Sequence, residues 1–335
     1  MRNPLDCIPG AARRGRRAWR LLYAAAALAC AGAGHTQTAA VAEAPLRIIV
    51  PTTPGSTPDL LARSLGPRFA ERLGRTLVVE NRIGASGAIG TEAVVRAPPN
   101  GATLLVAAST LATGATLQAG LAYDATRDLA PIALMGWNRL VLVTHPKTGF
   151  RTAGDLAAAA RKAPGRLNYG TPGVGTPNHL AAELFKMKAG VFITHIPYRG
   201  SGPQLADVLG GQVEMAPLTI IAAAPHVRAG KLVALAITGD KRAALLPGVP
   251  SLAEAGFPDV QGDIWYGLFA PRGLAPDLVA RLHAEMLQVL RAEEKSLSDQ
   301  GFEVETGSPE ALGQLLVRDT ARWAELIRKQ GIRAD

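Results

Sequence analysis

Cysteine is nearly absent from this 335-residue chain, and the only two, Cys7 and Cys30, lie within the first 42 residues. The rest of the sequence therefore has no thiol that could act as a nucleophile, form a disulfide or bind a metal. Its stability must come from packing alone. A chain of this length can bury a core that is large enough without a covalent staple.

Charged and aromatic residues are also scarce, at 19% and 5% of the chain against 48% hydrophobic residues. This composition excludes a disordered chain, which needs few apolar residues and a high net charge. The net charge of +9 is concentrated at the start, because residues 1–42 carry six arginines and one aspartate and leave +4 for the rest. That remainder has no stripe of basic and aromatic residues, so we expect no nucleic-acid partner.

Only one long apolar run occurs, over residues 21–33, and it is too short to span a bilayer. It follows the arginine-rich segment 13–20 and precedes Ala-Val-Ala at 40–42, the small residues typical of a cleavage site. We therefore expect residues 1–42 to be a secretion signal peptide. An uncleaved anchor, a lipidated Cys30 and a twin-arginine signal are alternatives.

After residue 42 the chain alternates between short apolar runs and helical patterns, which predicts βα units and mainly parallel sheets. The predicted strands cover residues 46–50, 76–80, 103–107, 140–144, 167–169, 192–196, 231–238 and 265–270. Two predicted helices, 277–291 and 309–330, finish the chain, and Ser308 is expected to cap the second of them. We expect these helices to pack on a first lobe and the residues from about 144 to form a second lobe.

Three loops share one design: each follows a predicted strand, is rich in Gly, Ser and Thr, and precedes a helix. They cover residues 52–57, 84–87 and 171–176. Helix N-termini at the carboxyl ends of parallel strands offer free N–H groups and a partial positive charge, which suits an anion. None of the three contains Arg or Lys, so the pattern favours a carboxylate held by neutral dipoles over phosphate chemistry. For each loop alone, an ordinary βα turn remains the alternative.

Enzyme motifs are incomplete in this sequence. The segment 84–88 misses G-x-S-x-G because residue 88 is Ala, and 173–178 misses G-x-G-x-x-G because residue 178 is Asn. His179 and Glu183 have the spacing of a metal pair, but with no third ligand evident a helical side-chain pair or a cap is favoured. We therefore expect no enzyme, no cofactor and no metal. His179 is also a candidate to touch a ligand or to hold the loop 171–176.

Two charged residues near these loops allow two interpretations each. Asp59 stands at a helix start, where a capping or first-turn carboxylate is the favoured interpretation over a ligand contact. Arg199 lies in a possible fourth contact loop and either steers an anion or is simply a solvated loop arginine.

Several longer motifs occur together in order. Residues 51–63 fit P-x-x-P-G-x-x-x-D-x-x-A-R, and NRIGASGAIG (81–90), YGTPGVGT (169–176) and HIPYRG (195–200) follow. From about residue 45 to 335, the chain resembles the Bug receptors, the periplasmic solute-binding proteins of tripartite tricarboxylate transporters.

The resemblance implies a two-lobe α/β periplasmic binding protein of the type II Venus-flytrap class, in which each lobe is a mainly parallel sheet flanked by helices. Lobe 1 would comprise 43–143 with 267–335, and lobe 2 would comprise 144–266. The implied protein is a periplasmic monomer that closes on a small carboxylate in the interlobe cleft and delivers it to the transporter's membrane subunits. A receptor that feeds a signalling sensor, or a hydrolase using Ser56 or Ser86 with His179, are the alternatives.

The resemblance also implies which residues hold the ligand, namely backbone amides and hydroxyls of the loops at the strand ends. These are Thr53, Gly55, Ser56, Ala85, Ser86, Ser109, Thr110, Thr171, Gly175, Thr176, His179 and Thr219. Two departures from the family pattern stand out. Ser56 replaces the second Gly of the first loop, and Leu218 stands where many members have Asp. Without that acid a ligand ammonium group is disfavoured, which makes amino acids less suitable ligands.

Overall fold

The computed structural model of this chain describes residues 44–118 and 120–333. The expected signal peptide, with Cys7 and Cys30, lies outside the described residues. Within the described ranges, no helix has both the length and the hydropathy needed to cross a membrane.

The described residues form ten strands, and most of these coincide with the apolar runs of the sequence. They are β1 (Leu46–Val50), β2 (Leu77–Asn81), β3 (Thr103–Ala108), β4 (Leu129–Asn138), β5 (Leu140–Thr144), β6 (Asn168–Thr171), β7 (Thr194–Pro197), β8 (Ala216–Thr219), β9 (Val233–Ile237) and β10 (Ile264–Pro271). The strand β4 is absent from the sequence-based assignment because Pro131 and Gly136 interrupt its apolar run. The register of β4 against β10 shifts next to Gly136.

Helices follow most of the strands, as the alternating pattern predicts. They are α1 (Thr57–Arg72), α2 (Ala88–Val95), α3 (Leu111–Leu117), α4 (Ala125–Asp128), α5 (Ala153–Lys162), α6 (Pro177–Ala189), α7 (Ser201–Leu209), α8 (Ile220–Arg228), α9 (Pro276–Asp299) and α10 (Pro309–Lys329). Ser308 caps α10 as predicted, since its side chain accepts a hydrogen bond from the Ala311 N–H. Short 3₁₀ turns also occur at Ala85–Gly87 and Pro146–Thr148.

The first sheet has the strand order β2-β1-β3-β10-β4, in which β1 pairs in parallel with β2 and β3 while β10 runs antiparallel to its neighbours. Alternate residues of its strands serve opposite faces. Ile48 packs with the core under α1 and α9, whereas Ile49 packs with the core that includes Leu312 of α10. Both terminal helices thus pack on this sheet, as expected.

The second sheet repeats this arrangement. Strands β8, β5 and β9 pair in that order with β5 antiparallel to both, and β6 pairs in parallel with β7. A parallel bridge between Tyr169 and Met215 joins the two groups of strands. The resulting order, β7-β6-β8-β5-β9, mirrors that of the first sheet, and in each sheet the antiparallel strand is the one that has just arrived from the other.

The chain passes between the sheets through short connections. A single residue, Arg139, separates β4 in the first sheet from β5 in the second, and residues 238–263 lead back to β10. Strand β5 lies wholly in the second sheet, although the expected lobe boundary falls after residue 143. The lobe boundaries themselves stay a prediction.

A buried ion cluster ties the two connections together. Arg139 pairs with Asp263 through Nη1 and with Glu303 through Nε, the latter at 2.8 Å. Thr238 donates a hydrogen bond of 2.5 Å to the second oxygen of Asp263. The side chains of Arg139 and Asp263 are only 12% and 8% exposed. Burial raises the pKa of Asp263, and the charge and hydrogen bonds of Arg139 and Thr238 offset part of this rise.

Replacing the cation of this cluster should cost much stability. Arg139→Met leaves the buried Asp263 carboxylate without its partner, and we expect a loss of about 3–5 kcal/mol in the free energy of unfolding. Urea denaturation measures it. Arg242→Met is the matched control, because Arg242 and Glu254 form a solvent-exposed ion pair, with side chains 48% and 45% exposed. This variant should leave the urea midpoint unchanged. Equal, small losses in both variants would contradict this account.

Candidate ligand-binding site

Loops from both sheets enclose a cavity of about 350 Å³ beyond the carboxyl ends of several strands. Its walls come from the loops after β1, β2 and β6 and from α3. The bordering residues are Pro51, Thr52, Thr53, Ile83, Gly84, Ser86, Gly87, Thr110, Thr113, Gly114, Leu117, Gln118, Val174, Gly175 and Thr176. Among these residues there is no charged side chain. The cavity is thus polar through hydroxyl, amide and backbone groups only.

The first loop is held from beneath by Asp59, a buried carboxylate in the first turn of α1. One of its oxygens accepts the Gly55 N–H at 2.9 Å, and the other accepts hydrogen bonds from Arg63 and Asn81, also at 2.9 Å. Asn81 also donates to the Thr52 carbonyl. Asp59 therefore joins the first loop to the end of β2. The first-turn interpretation of Asp59 is confirmed, whereas Ser56 occupies the capping position.

The charge of Asp59 is maintained despite its burial. Burial by itself raises the pKa of Asp59, but the hydrogen bonds from Arg63, Gly55 and Asn81, with the Arg63 charge, bring it below the ordinary value. The carboxylate therefore remains ionised near neutral pH, and the loop that it holds keeps its shape there.

The second loop contains backbone strain. Ala85 and Ser86 have φ values of +43° and +48°, in the left-handed region that side chains other than glycine rarely adopt. Neither of their N–H groups has an acceptor in the described part of the chain. Strain of this kind costs about 1–3 kcal/mol per residue and concentrates at ligand clamps. Here it leaves two neighbouring donors available next to the cavity.

The helix α3 forms one wall of the cavity, and the sequence-based assignment did not include it. Thr110, Thr113, Gly114 and Leu117 all border the cavity, and they follow the i, i+3, i+4, i+7 spacing of one helical face. This spacing is the signal in the sequence that could have identified the wall.

Leu117 closes the cavity against the loop after β6. A Cβ atom placed on Gly175 would lie 2.0 Å from the Leu117 Cδ1, and Gly175 has a φ of +73°. Glycine at this position leaves the space that Leu117 occupies, and a larger residue would require the leucine side chain to move. Val174 and Ile83 complete this part of the wall.

Three hydroxyls at the cavity, those of Thr53, Ser86 and Thr110, have no hydrogen-bond partner within the described residues. Two other threonine hydroxyls at the cavity already donate hydrogen bonds within the protein. Thr113 donates to the Thr110 carbonyl at 2.9 Å, and Thr176 donates to the Gly173 carbonyl at 2.8 Å. The free hydroxyls are therefore the side-chain donors that remain for a ligand.

Of the twelve residues expected to bind the ligand, five border the cavity: Thr53, Ser86, Thr110, Gly175 and Thr176. Three others are their chain neighbours in the same loops: Gly55, Ser56 and Ala85. Ser109, Thr171 and His179 are buried behind the loops, and Thr219 borders a different cavity of about 440 Å³ together with Thr57. Leu218 is buried in the core of the second sheet.

Comparison with known proteins identifies the family. The model of the family described as "Tripartite tricarboxylate transporter family receptor" matches residues 61–332. The chain belongs to this family. It is 34% identical to Protein BugT of Bordetella pertussis over 291 residues, which cover 86% of this chain and 89% of that protein. The resemblance to the Bug receptors is thereby confirmed.

Solved structures agree with this assignment. R. palustris Rpa4515, solved with adipate, has a TM-score of 0.77 at 31% identity, covering 88% of this chain and 99% of its own. MatC from Rhodopseudomonas palustris, solved with bound malate, has a TM-score of 0.71 at 29% identity over 85% and 99%. The periplasmic binding protein BugD has a TM-score of 0.73 at 30% identity over 88% and 99%. These likenesses confirm the predicted fold class.

Behind the loop 171–176, the receptor has two stacked histidines. The rings of His179 and His195 lie 4.0 Å apart at 12°, and the Tyr169 ring continues the stack at 4.8 Å from His195. The His179 Nδ1 accepts the Gly175 N–H at 3.0 Å, and the His195 Nε2 lies 2.6 Å from the Thr171 Oγ1. His179 therefore holds the loop rather than bordering the cavity.

The Glu183 carboxylate lies beside this stack and is already engaged. Its Oε1 accepts hydrogen bonds from Tyr169 and from Lys186, the latter at 2.6 Å, and is 3.7 Å from the His179 Nε2. The helical-pair interpretation of His179 and Glu183 fits these contacts. Among the described residues, no group of three or more His, Cys, Asp and Glu is arranged to hold a metal ion.

Both imidazoles are neutral at physiological pH. Burial, followed by the positive charges of His195 and Lys186, lowers the pKa of His179 to about 3. Burial also lowers the pKa of His195 to about 4, with Glu183 opposing this change and Lys186 adding to it.

The receptor should lose stability as the pH falls, because His179 and His195 bind protons in the unfolded chain at a pH at which they remain neutral in the folded protein. The free energy of unfolding has its full value above pH 6.5, the ordinary histidine pKa. Between pH 6.5 and pH 4 it declines by up to about 1.4 kcal/mol per pH unit for each histidine. Urea denaturation from pH 7 to pH 4.5 measures this slope. His179→Asn, which has no titrating ring, should make it shallower, and an unchanged slope would contradict the assignment.

Gly175→Ala should force the Leu117 side chain out of its present position and weaken ligand binding several-fold, because the new Cβ would lie 2.0 Å from the Leu117 Cδ1. Isothermal titration with a small organic carboxylate measures the affinity. Gly190→Ala is the matched control. Gly190 follows the C-terminus of α6, the helix that begins just after Gly175. It has a φ of +61°, and no atom lies within 4 Å of an added Cβ. Both variants should lose about 1 kcal/mol of stability from backbone strain. Equal affinities in the two variants would show that the contact is unimportant for binding.

Proposed function

We propose that this receptor captures a small organic carboxylate, with a dicarboxylate as the first candidate, in the cavity between the loops of its two sheets. One observation carries the proposal: the cavity has no charged side chain, but three free hydroxyls and two free N–H groups adjoin it. Its volume of about 350 Å³ lies in the range of small-molecule sites, about 300–1,000 Å³. The adipate and malate of the relatives' structures are molecules of this class.

Electrostatics favour a carboxylate over other charged ligands at this cavity. Backbone N–H groups and hydroxyls stabilise an anion with short hydrogen bonds and need no counter-charge. A ligand ammonium group would require an acceptor with negative charge, and no Asp or Glu borders the cavity. A phosphate with two charges would find no Arg or Lys there.

The contacts of the candidate nucleophiles support binding rather than hydrolysis. Catalysis by a serine needs a histidine within hydrogen-bond reach. The Ser56 hydroxyl lies 2.6 Å from the Thr52 hydroxyl, and the His179 Nδ1 is occupied by the Gly175 N–H. In the described ranges, neither Ser56 nor Ser86 has a hydrogen bond to His179. We therefore propose a receptor with no catalytic activity and no cofactor.

The proposal extends to the location and partners of the chain. The family consists of periplasmic receptors of tripartite transporters, so we propose export through a signal peptide at residues 1–42 and delivery of the ligand to membrane subunits. We propose a monomer with two lobes, one built on each sheet, that close around the ligand. A receptor that passes the same ligand to a signalling sensor remains the second candidate.

The ligand class can be tested by calorimetry and native mass spectrometry on protein purified from periplasm. We expect adipate or malate to bind with a stoichiometry of one. Two probes of similar chain length, the uncharged 1,6-hexanediol and the positively charged diamine putrescine, lack the negative charges of adipate and should not bind. Binding of hexanediol or putrescine with equal affinity would refute recognition of a carboxylate, as would an absence of binding across a wider carboxylate panel.

Thr110→Val tests the free hydroxyls directly, because it removes a donor at nearly constant volume. We expect the affinity for the bound carboxylate to fall about three- to tenfold, corresponding to one hydrogen bond, with no change in the free energy of unfolding. Thr116→Val is the matched control, since Thr116 lies on the same helix and does not border the cavity. An unchanged affinity for Thr110→Val would remove this hydroxyl from the site.

A further inference from the structure

The binding loop 171–176 is fixed at both ends by the histidine stack. At one end the Gly175 N–H donates to His179 Nδ1 at 3.0 Å, and at the other Thr171 Oγ1 meets His195 Nε2 at 2.6 Å. The two rings are parallel and in contact, with centroids 4.0 Å apart. A displacement of one ring therefore displaces the other, and both ends of the loop with it.

The contact of His179 requires one tautomer. The Nδ1 of His179 must be unprotonated to accept the Gly175 N–H, so its proton is on Nε2, which faces Glu183. This ring must therefore be neutral, and burial favours the neutral form. Thr171 Oγ1 lies 2.6 Å from the His195 Nε2 and 3.2 Å from the Gly173 carbonyl, and the tautomer of His195 decides which atom of the shorter bond is the donor.

The loop separates two cavities. Val174 borders the candidate ligand cavity on one side and, on the other, an open cavity of about 700 Å³ that His179 and His195 line. With open space on both sides, packing alone supports the middle of the loop weakly. Other hydrogen bonds also hold this loop, from the Gly200 N–H to the Pro172 carbonyl and from the Thr176 hydroxyl to the Gly173 carbonyl. The His179 contact is the one made to Gly175 itself, and Gly175 is the residue that meets Leu117.

We propose that His179 and His195 are positioning residues for ligand binding: they hold the loop 171–176 in the shape that lets Gly175 meet Leu117 across the cavity. They do not touch the ligand. This role rests on the proposed function of the cavity. The groups that face the two rings are Tyr169, Glu183 and Lys186, with Arg333 at the rim of the outer cavity.

Three substitutions of His179 separate positioning from simple packing. The Oδ1 of Asn can reach the position of the histidine Nδ1, whereas the carbonyl of Gln extends to the position of Nε2. We therefore expect His179→Asn to bind adipate within about threefold of the wild type, and His179→Ala and His179→Gln to bind it at least tenfold more weakly. Rescue by Asn but not by Gln is a result that a merely structural role would not produce.

Stability and loop order are measured on the same proteins. Val208→Ala, a buried substitution in the core of the second sheet, is the control for a general loss of stability and should leave the affinity unchanged. Amide hydrogen exchange of Gly175, followed by NMR without ligand, should accelerate at least tenfold in His179→Ala and remain slow in His179→Asn. This measurement reports on the loop whether or not a ligand binds.

The outcomes distinguish this inference from the proposed function. If the wild type binds adipate and all three His179 variants bind it equally well, the positioning role is overturned and the carboxylate receptor stands. If no carboxylate binds the wild type, the proposed function is overturned. In that case, unchanged Gly175 exchange in His179→Ala would overturn the positioning role as well, and accelerated exchange would retain the histidines as determinants of the loop.

Discussion

The pairing of Arg139 with Asp263 is the interaction on which the arrangement of the two sheets depends. Each sheet receives its antiparallel strand through a connection from the other, and these two residues join the connections in the protein interior. Glu303 adds the segment between the last two helices to the same cluster. This charge pair joins the two connections between the sheets and does not border the candidate ligand cavity. A buried pair of this kind provides little net stability, but it is costly to break.

The candidate site shows how an anion site can be built without a cation. Charges are kept behind the loops: Asp59 accepts the Gly55 N–H of the first loop, and Glu183 accepts hydrogen bonds from Tyr169 and Lys186 beside the histidines. The surface that borders the cavity has no charged side chain, and its hydroxyl, amide and backbone dipoles lie among apolar side chains such as Leu117 and Val174. Such a site has no mobile charged side chain to desolvate when the ligand enters, and its selectivity depends on how rigidly the loops are held.

The fold was predictable from the sequence to a large extent, because short apolar runs alternate with helical patterns and Gly-rich loops. The strands 46–50 and 140–144 were assigned to the residue. Strand β4 was missed because Pro131 and Gly136 interrupt its apolar pattern. In the structure, β4 pairs with β10 along its length, with a shift of register next to Gly136. For the candidate site, the loops that contain Thr53 and Ser86 were predicted from their position after strands, and Thr110 was predicted from the family resemblance. The helix wall at Thr113 and Leu117 was missed, although its spacing is helical. The role of His195 could not be read from the sequence, because its partner Thr171 lies on a neighbouring strand.

The contact between Leu117 and Gly175 also has a kinetic consequence. In the proposed site, withdrawal of the leucine side chain from the glycine opens this wall of the cavity, so the lifetime of a bound ligand would depend in part on the frequency of that separation. A receptor that must hold its cargo until it meets a membrane partner needs a long lifetime more than a high association rate. A contact between one leucine and one glycine is enough to influence that lifetime.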